Sequence, residues 1–342
     1  MKPRAISNPP NPWSTTEIDY LGEPPPGTLE VYEDHSREII AHNDSPDVGF
    51  RFSVNPYRGC MHGCAYCYAR PTHEYLSFGA GTDFETKIMV KLRAAELLRE
   101  AFERASWRGE LLMFSGVTDC YQPLEASLRL TRQCLEVCAE YRNPVAIITK
   151  APLIERDIDV LLQLTERCRV SVSVSVPFWN QHHARVIEPH VATPRRRIEV
   201  IRRLSSAGIA VGVSVAPIIP GLGDEDIGII LEEAKEAGAT HAGYVLLRLP
   251  GSVKAVFEER LRATLPMRAE RVIHRIRETR GGRLYDSRFG VRGRGAGLYA
   301  EAIRALFQTT ARRLGLCTSH DEEPTTFRRP EKPRAQLELG MR

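Results

Sequence analysis

Six short runs of β-branched and other apolar residues recur along the chain, each followed by a longer stretch with helical periodicity. Runs of this kind, separated by helices, indicate βα units and a parallel sheet. The predicted strands cover residues 50–55, 110–116, 144–149, 169–176, 209–216 and 241–247. Because six units are fewer than the eight of a closed barrel, the pattern predicts an α/β fold with a partial (βα)6 TIM-like barrel.

The predicted helices carry apolar residues at the spacing of one helical face. They cover residues 87–105, 124–141, 154–166, 194–207, 225–237 and 266–280, and residues 28–32 could form a short extended piece. Proline clusters break both helix and strand near the start of the chain. We therefore divide the chain into an irregular Pro-rich N-terminal arm (1–46), a barrel core (47–250), a helical, Arg-rich C-terminal extension (251–317) and a loosely ordered tail (318–342).

The residues YRGCMHGCAYCY, which follow the first predicted strand, contain three cysteines at C-x3-C-x2-C spacing. Three thiolates on so short a loop can meet at one soft metal centre, and glycines before Cys60 and Cys64 let the backbone wrap closely around it. A structural zinc site needs four protein ligands, and no fourth Cys or His completes a known finger spacing here. An iron–sulfur cluster held by Cys60, Cys64 and Cys67 is the better candidate, because its fourth iron would stay available for chemistry. The alternative is three buried or zinc-bound cysteines.

This loop, with an aromatic residue before its last cysteine, resembles the signature of radical S-adenosylmethionine (SAM) enzymes. The longer text NPYRGCMHGCAYCYARPTHEY resembles the branch that includes spore photoproduct lyase and DNA-repair-photolyase-like proteins, and the resemblance extends over residues 47–316. It implies a [4Fe-4S] cluster, S-adenosyl-L-methionine and a one-electron reductant of the flavodoxin or ferredoxin type. It also implies reductive cleavage of SAM to a 5′-deoxyadenosyl radical that abstracts hydrogen from a substrate.

Active sites of βα barrels lie at the carboxyl ends of the strands. There the resemblance assigns Tyr66 to holding the adenine, largely through its backbone, and Thr118 and Asp119 to the amino end of the methionine. A hydroxyl or carboxylate can accept hydrogen bonds from an ammonium group. The alternatives are an aromatic side chain that packs beside the cluster for Tyr66 and a helix cap for the other two.

Three more residues at this edge are candidates for binding SAM. Lys150 follows the third predicted strand and could pair with the methionine carboxylate, although an exposed loop lysine is an equal alternative. Ser173 could hydrogen-bond SAM, but alternating Ser and Val also describes an ordinary half-buried strand. Arg248 follows the sixth strand and could clamp a carboxylate or phosphate; a surface salt bridge is the alternative.

The sequence departs from the spore photoproduct lyases at one position. Those enzymes carry a hydrogen-donating cysteine two residues before the SAM-contacting hydroxyl, and Gly116 stands in that place here. Cys120 lies nearby but out of register, so it is a weak catalytic candidate, and a plain buried thiol is the commoner role of such a residue. We therefore do not expect a photoproduct lyase. No second CxxC group is present, so Cys134, Cys138, Cys168 and Cys317 are expected to be core cysteines.

Composition fits a soluble protein of a reducing compartment. The 342 residues, 42% of them hydrophobic, suffice for one large core. Eight cysteines are too few for a disulfide scaffold of this length. No apolar run is long enough to cross a membrane, and the first residues lack the apolar centre of a signal peptide. We expect a cytoplasmic protein without a membrane partner.

The C-terminal extension is rich in arginine, with Phe289 and glycines interleaved. Arginine, aromatic residues and glycine together are typical of a nucleic-acid groove. The arginines concerned are Arg268, Arg271, Arg275, Arg277, Arg280, Arg283, Arg288, Arg292 and Arg294. The alternative is a solvated helix face and a loop that closes the barrel, and a formal net charge of only +4 does not by itself call for a nucleic-acid partner.

Two further groups receive ordinary structural interpretations. Gly221 to Asp224 precede a predicted helix; we expect Asp224 to cap that helix, because the acidic residues that follow would repel phosphate. His182, His183 and His190 are expected in a solvent-facing loop rather than at a metal.

Three hypotheses follow for the whole protein. It is a radical SAM enzyme that repairs or modifies nucleic acid, one that modifies a peptide or small metabolite, or a non-catalytic iron–sulfur sensor.

Overall fold

Parallel strands form the centre of the protein, as the sequence predicts. The computed structural model describes residues 28–318 and 324–331. Within these residues the strands are β1 (Glu30–Glu33), β2 (Ile40–His42), β3 (Phe52–Val54), β4 (Tyr57–Arg58), β5 (Lys87–Val90), β6 (Leu112–Phe114), β7 (Val145–Thr149), β8 (Val170–Ser175), β9 (Val211–Ile218) and β10 (His241–Leu246). The six predicted strands correspond to β3, β6, β7, β8, β9 and β10 and are confirmed.

The larger sheet has the order β10-β9-β8-β7-β6-β3-β2. Its six predicted strands are all parallel and stand in chain order, while β2 is antiparallel to β3 at the edge. Consecutive parallel strands require a crossover of a dozen or more residues, and helices occupy most of these connections. This confirms an α/β fold with a parallel sheet, whereas the partial barrel stays a prediction.

The described residues contain eleven α-helices and two 3₁₀ helices. The α-helices are α1 (Thr82–Thr86), α2 (Ala94–Glu103), α3 (Glu125–Leu128), α4 (Leu130–Tyr141), α5 (Ile158–Thr165), α6 (Gln181–Ile187), α7 (Pro194–Ser206), α8 (Ile227–Glu236), α9 (Val253–Thr264), α10 (Pro266–Glu278) and α11 (Leu298–Arg313). The 3₁₀ helices are Arg70–Leu76 and Pro152–Asp157.

Three of the predicted helices differ from the structure. In the predicted helix 154–166, the first four residues belong to the 3₁₀ helix Pro152–Asp157, and α5 begins at Ile158. Residues 87–105 contain strand β5 before helix α2, because Ile88 and Val90 alternate with more exposed neighbours and are buried like residues of a strand. Residues 124–141 form α3 and α4, which are separated where Arg129 adopts a left-handed conformation with a φ of 54°.

The segment before the first predicted strand is more regular than expected. Strand β1 pairs in parallel with β5, and β4 pairs antiparallel with the other edge of β5, so these strands form a second, three-stranded sheet. The extended piece predicted at residues 28–32 is thereby confirmed. Residues 1–27 of the arm lie outside the described residues.

Part of the expected loosely ordered tail lies against the core. The Phe327 ring packs on Phe102 and Tyr141, with ring centroids 5.6 and 6.2 Å away. The Arg329 guanidinium donates to the carbonyls of Phe102 and Trp107 at 2.9 and 3.2 Å. Aromatic contacts and bonds to backbone carbonyls thus hold residues 324–331 in place.

The main hydrophobic core lies between the larger sheet and its helices. A second apolar cluster joins the segment after Cys60 to helices α9 and α10. Cys134, Cys138 and Cys168 are buried in the main core, as expected. Cys317 is exposed, so the expectation of a core cysteine is wrong for that residue. None of the helices in the described residues combines the length and the apolar composition needed to cross a bilayer.

Candidate functional site

A cavity of about 690 Å³ opens at the carboxyl edge of the larger sheet. Each of the six parallel strands, or the loop after it, contributes to its wall. Representative lining residues are Ser53, Ser115, Lys150, Ser175, Ala216 and Arg248. The sequence-based expectation that chemistry belongs at this edge agrees with the position of the cavity.

The cysteine loop, residues 60–67, forms one wall of this cavity. Gly59 and Gly63 have φ angles of 81° and 64°, which side chains rarely adopt. A Cβ atom at Gly59 would lie 2.9 Å from the His73 ring, and one at Gly63 would lie 3.0 Å from the Glu85 carboxylate. Both glycines are therefore needed for the close wrapping that the sequence predicts.

Cys60, Cys64 and Cys67 all line the cavity. Burial raises the pKa of Cys60 to about 12, although backbone N–H groups of His62 and Asp119 donate to its sulfur. Burial also raises the pKa of Cys64 well above its ordinary value. Thiols in such a place stay protonated at neutral pH until a bound cation replaces the protons, as metal binding to cysteine requires.

The donor set fits a cluster better than a single ion. In the described part of the chain, no three His, Cys, Asp or Glu side chains converge on one metal ion. The thiolates of a [4Fe-4S] cluster each bind a different iron, so they need not converge on one atom. That arrangement is consistent with three features of the loop. Its three thiols lie on the cavity wall, its glycines give room, and backbone N–H groups point at a sulfur.

A buried arginine that the sequence analysis missed holds the loop in shape. The Arg70 side chain is fully buried and donates to the Cys64 carbonyl at 3.0 Å and the Gly63 carbonyl at 3.2 Å. It also forms an ion pair with the buried Glu85. The signal in the sequence is weak, since a single arginine three residues after Cys67 resembles any surface cation.

Gln122 holds the start of the same loop. Its amide nitrogen donates to the Gly59 carbonyl at 3.0 Å, and its amide oxygen accepts from the Met61 N–H at 3.1 Å. Gln122 is fully buried in the loop after β6. It therefore connects the cysteine loop to the neighbouring strand, which no pattern in the sequence predicted.

Tyr66 belongs to a buried network of charged groups. Its hydroxyl donates to the Glu188 carboxylate, which also forms an ion pair with the buried Arg197. The Lys150 ammonium lies 3.9 Å from the same carboxylate and 5.8 Å from the centre of the Tyr66 ring. Burial by itself would raise the pKa of Glu188, but Arg197 and Lys150 outweigh it and the pKa is lowered. Glu188 and Arg197 were not singled out from the sequence.

Thr118 and Asp119 also line the cavity. The Thr118 hydroxyl donates to the Tyr57 carbonyl at 3.1 Å and accepts from the Asn55 side chain at 2.9 Å. The Asp119 carboxylate accepts from the Thr149 hydroxyl at 2.7 Å and the Lys150 N–H at 2.8 Å. Asp119 thus joins the loops after β6 and β7, and the helix cap considered as an alternative is not what it forms.

Ser173 lies one step too deep in the sheet to reach the cavity. Its hydroxyl is 3.3 Å from the His241 ring nitrogen Nε2, and it does not belong to the cavity wall. Ser175 on the same face of β8 does line the cavity. Two residues along a strand amount to about 7 Å, which decides the difference.

Cys120 is fully buried in the main core and is not part of the cavity wall. The structure therefore argues against it as a hydrogen donor. Gly116 does line the cavity, but a Cβ atom there would lie 2.7 Å from the Ser53 Cβ. The lyase-type cysteine would collide with Ser53 here, so the departure seen in the sequence has a steric counterpart.

Most arginines of the proposed nucleic-acid groove are engaged within the protein. Arg292 forms an ion pair with Asp47 at 2.5 Å, and the buried Arg280 donates to the Leu247 carbonyl at 2.7 Å. Further ion pairs join Arg268 to Glu225, Arg275 to Glu278 and Arg288 to Asp286. Arg268, Arg275 and Arg288 stay at the surface in these pairs. No observation in the described residues supports the nucleic-acid groove.

Two minor expectations are wrong. Asp224 does not cap helix α8, which begins at Ile227; its carboxylate accepts from the Gly221 N–H at 2.9 Å instead. His182 and His183 lie on helix α6, and His183 is buried, so only His190 matches the expected exposed loop position.

Comparison with known proteins identifies the family. Residues 54–234, more than half of the chain, match the family described as "Radical SAM superfamily". The chain belongs to the radical SAM superfamily. This match covers the cysteine loop and four of the six parallel strands in full, and it begins at the last residue of β3. Membership indicates an enzyme whose family uses a [4Fe-4S] cluster, SAM and an electron donor.

The chain is also similar to individual proteins whose sequences are known. The chain is 39% identical over 210 residues to "Uncharacterized protein Rv2578c" of Mycobacterium tuberculosis strain H37Rv, which covers 61% of this chain and 62% of that protein. It is 25% identical over 215 residues to the "Radical SAM Nalpha-GlyT isomerase" of Pseudomonas phage M6, covering 61% of this chain and 42% of the phage protein.

Among solved structures, spore photoproduct lyase complexed with dinucleoside spore photoproduct superposes with a TM-score of 0.61 at 17% identity. The superposition covers 84% of this chain and 81% of the lyase. At this identity the likeness shows the fold alone.

Proposed function

We propose that the protein is a radical SAM enzyme whose Cys60, Cys64 and Cys67 bind a [4Fe-4S] cluster, with SAM in the adjoining cavity. The observation that carries the proposal is that all three thiols line one cavity at the carboxyl ends of the parallel strands. When bound, the two cofactors supply one-electron cleavage of the sulfonium and an organic radical for hydrogen abstraction. A flavodoxin- or ferredoxin-type donor supplies the electron, and the sheet has the strand order of the expected partial barrel.

The chain's own residues bind and orient in this proposal. Lys150 forms an ion pair with the methionine carboxylate. It is available for this because Glu188 already forms a close ion pair with Arg197 and lies 3.9 Å from the Lys150 ammonium. Ser175 takes the hydrogen-bonding role that the sequence assigned to Ser173. Thr118 keeps acceptor capacity toward the methionine amino group.

Two residues have positioning roles. Asp119 fixes the loops after β6 and β7, and its carboxylate lies 3.5 Å from the His62 ring nitrogen Nδ1 on the cysteine loop. Tyr66 is anchored through its hydroxyl to Glu188, so that its backbone is held beside the cavity. Both fix the cavity wall, which is the protein's main contribution when cofactors carry the chemistry.

Anaerobic reconstitution with iron and sulfide tests the proposal. The reconstituted protein should contain about four irons per chain and, after reduction with dithionite, convert SAM to 5′-deoxyadenosine. Cys60→Ala should abolish both, whereas Cys134→Ala, which removes a buried thiol outside the cavity, should retain them. Zinc in place of iron would refute the proposal. A cluster without SAM cleavage would favour the sensor hypothesis.

A further inference from the structure

Three strongly cationic side chains line the cavity: Lys150, Arg248 and Arg292. Two of them have carboxylate partners within the protein. Lys150 lies 3.9 Å from Glu188, and Arg292 pairs with Asp47 at 2.5 Å. For Arg248, no carboxylate lies within ion-pair distance in the described part of the chain, although its charge helps to lower the pKa of Asp47, which is paired with Arg292.

Arg248 is only partly exposed, yet its hydrogen-bonding capacity is unused. Its Nε atom is buried and has no hydrogen-bond partner among the described residues. The guanidinium lies 5.5 Å from the centre of the Tyr68 ring, directly after the cysteine loop. A guanidinium offers five donors in a rigid fork, and a buried donor left without an acceptor is energetically unfavourable. The Arg248 guanidinium can therefore donate hydrogen bonds to a bound anion.

The cavity wall as a whole is mainly apolar. Phe50, Pro217, Val245 and Phe289 all line the cavity, and Val245 lies only three residues before Arg248. Ligand sites combine such walls with a few polar groups that fix orientation. A ligand held here would therefore combine one anionic group with an apolar or planar body.

Arg248 and Lys150 are placed for different anions. They follow β10 and β7, which are three strand positions apart, or about 14 Å along the sheet edge at the usual strand spacing. Each also lies over a different ring, Tyr68 for Arg248 and Tyr66 for Lys150. The methionine carboxylate of SAM needs only one of them.

We propose that Arg248 anchors an anionic group, a carboxylate or a phosphate, of the enzyme's substrate. The inference rests on the proposed function, since it takes Lys150 as the partner of SAM. Arg248 is in this view a specificity-determining residue: it orients the substrate's apolar body within the cavity that the cysteine loop lines. Substrates without a negative charge would leave its buried donor unpaired and bind poorly.

Small aromatic probes test the proposal without knowledge of the substrate. Calorimetry on the reconstituted protein measures the binding of phenyl phosphate, phenylacetate and the neutral benzyl alcohol. Each titration is done with SAM and without it, and no reductant is added. We expect at least one anionic probe to bind more tightly than benzyl alcohol. Arg248→Gln should weaken that binding about 10- to 100-fold and leave benzyl alcohol within about twofold. Comparison of the two anions distinguishes phosphate from carboxylate.

Two further variants complete the design. Arg248→Lys keeps the charge but loses the fork, so its anion affinity should be intermediate. Arg294→Gln removes an exposed arginine that does not line the cavity and should leave anion binding within about twofold of wild type.

Three results would overturn the proposal. The first is that wild type binds the charged and the neutral probes with equal affinity. The second is that Arg248→Gln lowers the affinity for all three probes equally. The third is that the affinity for SAM falls together with the affinity for the anions in that variant, which would assign Arg248 to the cofactor. Iron content and SAM cleavage, measured on the same wild-type preparation, separate these results from failure of the proposed function.

Discussion

Single buried residues fix the geometry of the cysteine loop. Arg70 is fully buried and donates to four backbone carbonyls as well as to Glu85, so one guanidinium organises residues 63–81. The loop is consequently shaped before any cofactor binds, which lowers the ordering that binding must impose.

Glu85→Gln tests this role at the residue scale. The substitution leaves the Arg70 charge buried without its counter-charge, so the free energy of unfolding should fall by about 3 kcal/mol. Urea unfolding of the reduced protein without cofactor measures it. Glu96→Gln is the matched control, because its partner Arg93 is exposed and an exposed pair of this kind contributes little to stability. Equal losses in the two variants would contradict the role given to Arg70.

The small sheet of β1, β5 and β4 adjoins the cysteine loop, because β4 ends at Arg58, two residues before Cys60. Asp34, at the end of β1, accepts from the Lys91 ammonium at 2.8 Å and lies 3.2 Å from Arg58. Burial by itself would raise the pKa of Asp34, but bonds from Lys91 and Ser36 outweigh it and lower the pKa from 3.8 to about 2. Sequence patterns predicted neither β5 nor this ion pair.

The stability of this element should depend on pH in the acid range. Between pH 4 and 2 the unfolded chain binds a proton at Asp34 that the folded protein does not, so the free energy of unfolding falls as the pH falls. In Asp34→Asn this component, on the order of 1 kcal/mol after solvent screening, is absent. Urea midpoints from pH 5 to pH 3 should therefore decline less steeply than in wild type. Asp44→Asn controls for the change in formal charge, and an unchanged slope in Asp34→Asn would refute the assignment.

At the scale of the whole molecule, distant segments meet at the cavity mouth. Asp47 precedes the first parallel strand, yet it accepts from the Gly290 N–H at 2.6 Å and pairs with Arg292. Ser45 also accepts from the Arg292 guanidinium. The mouth residues Val48, Phe50, Phe289 and Arg292 all line the cavity. Residues of the C-terminal extension thus form part of the cavity wall.

Asp47→Asn should loosen this junction. The variant loses the ion pair with Arg292 and weakens the bond from the Gly290 N–H, so amide hydrogen exchange in residues 285–295 should become about tenfold faster. Mass spectrometry of exchanged peptides measures the effect. Asp44→Asn, an exposed carboxylate of the same segment, should leave the exchange rate of those peptides unaltered. Protection that persists in Asp47→Asn would show that apolar packing alone holds the mouth.

The sequence by itself determined the features that depend on local pattern. Apolar runs located all six parallel strands, and the cysteine spacing with its glycines located the loop that lines the cavity. Residues that directly follow a strand, such as Thr118 and Lys150, also lie on the cavity wall as expected. Strand periodicity and close spacing are properties of neighbouring residues, so they can be read without knowledge of the fold.

Only the tertiary structure decided which side chains meet. Ser175 lines the cavity and Ser173 does not, because position along the strand matters as well as its face. Arg292 reads as a phosphate ligand in sequence but is neutralised by Asp47, 245 residues away. The pairing of Glu188 with Tyr66 spans 122 residues. Such contacts depend on the folded path of the whole chain, which local periodicity does not encode.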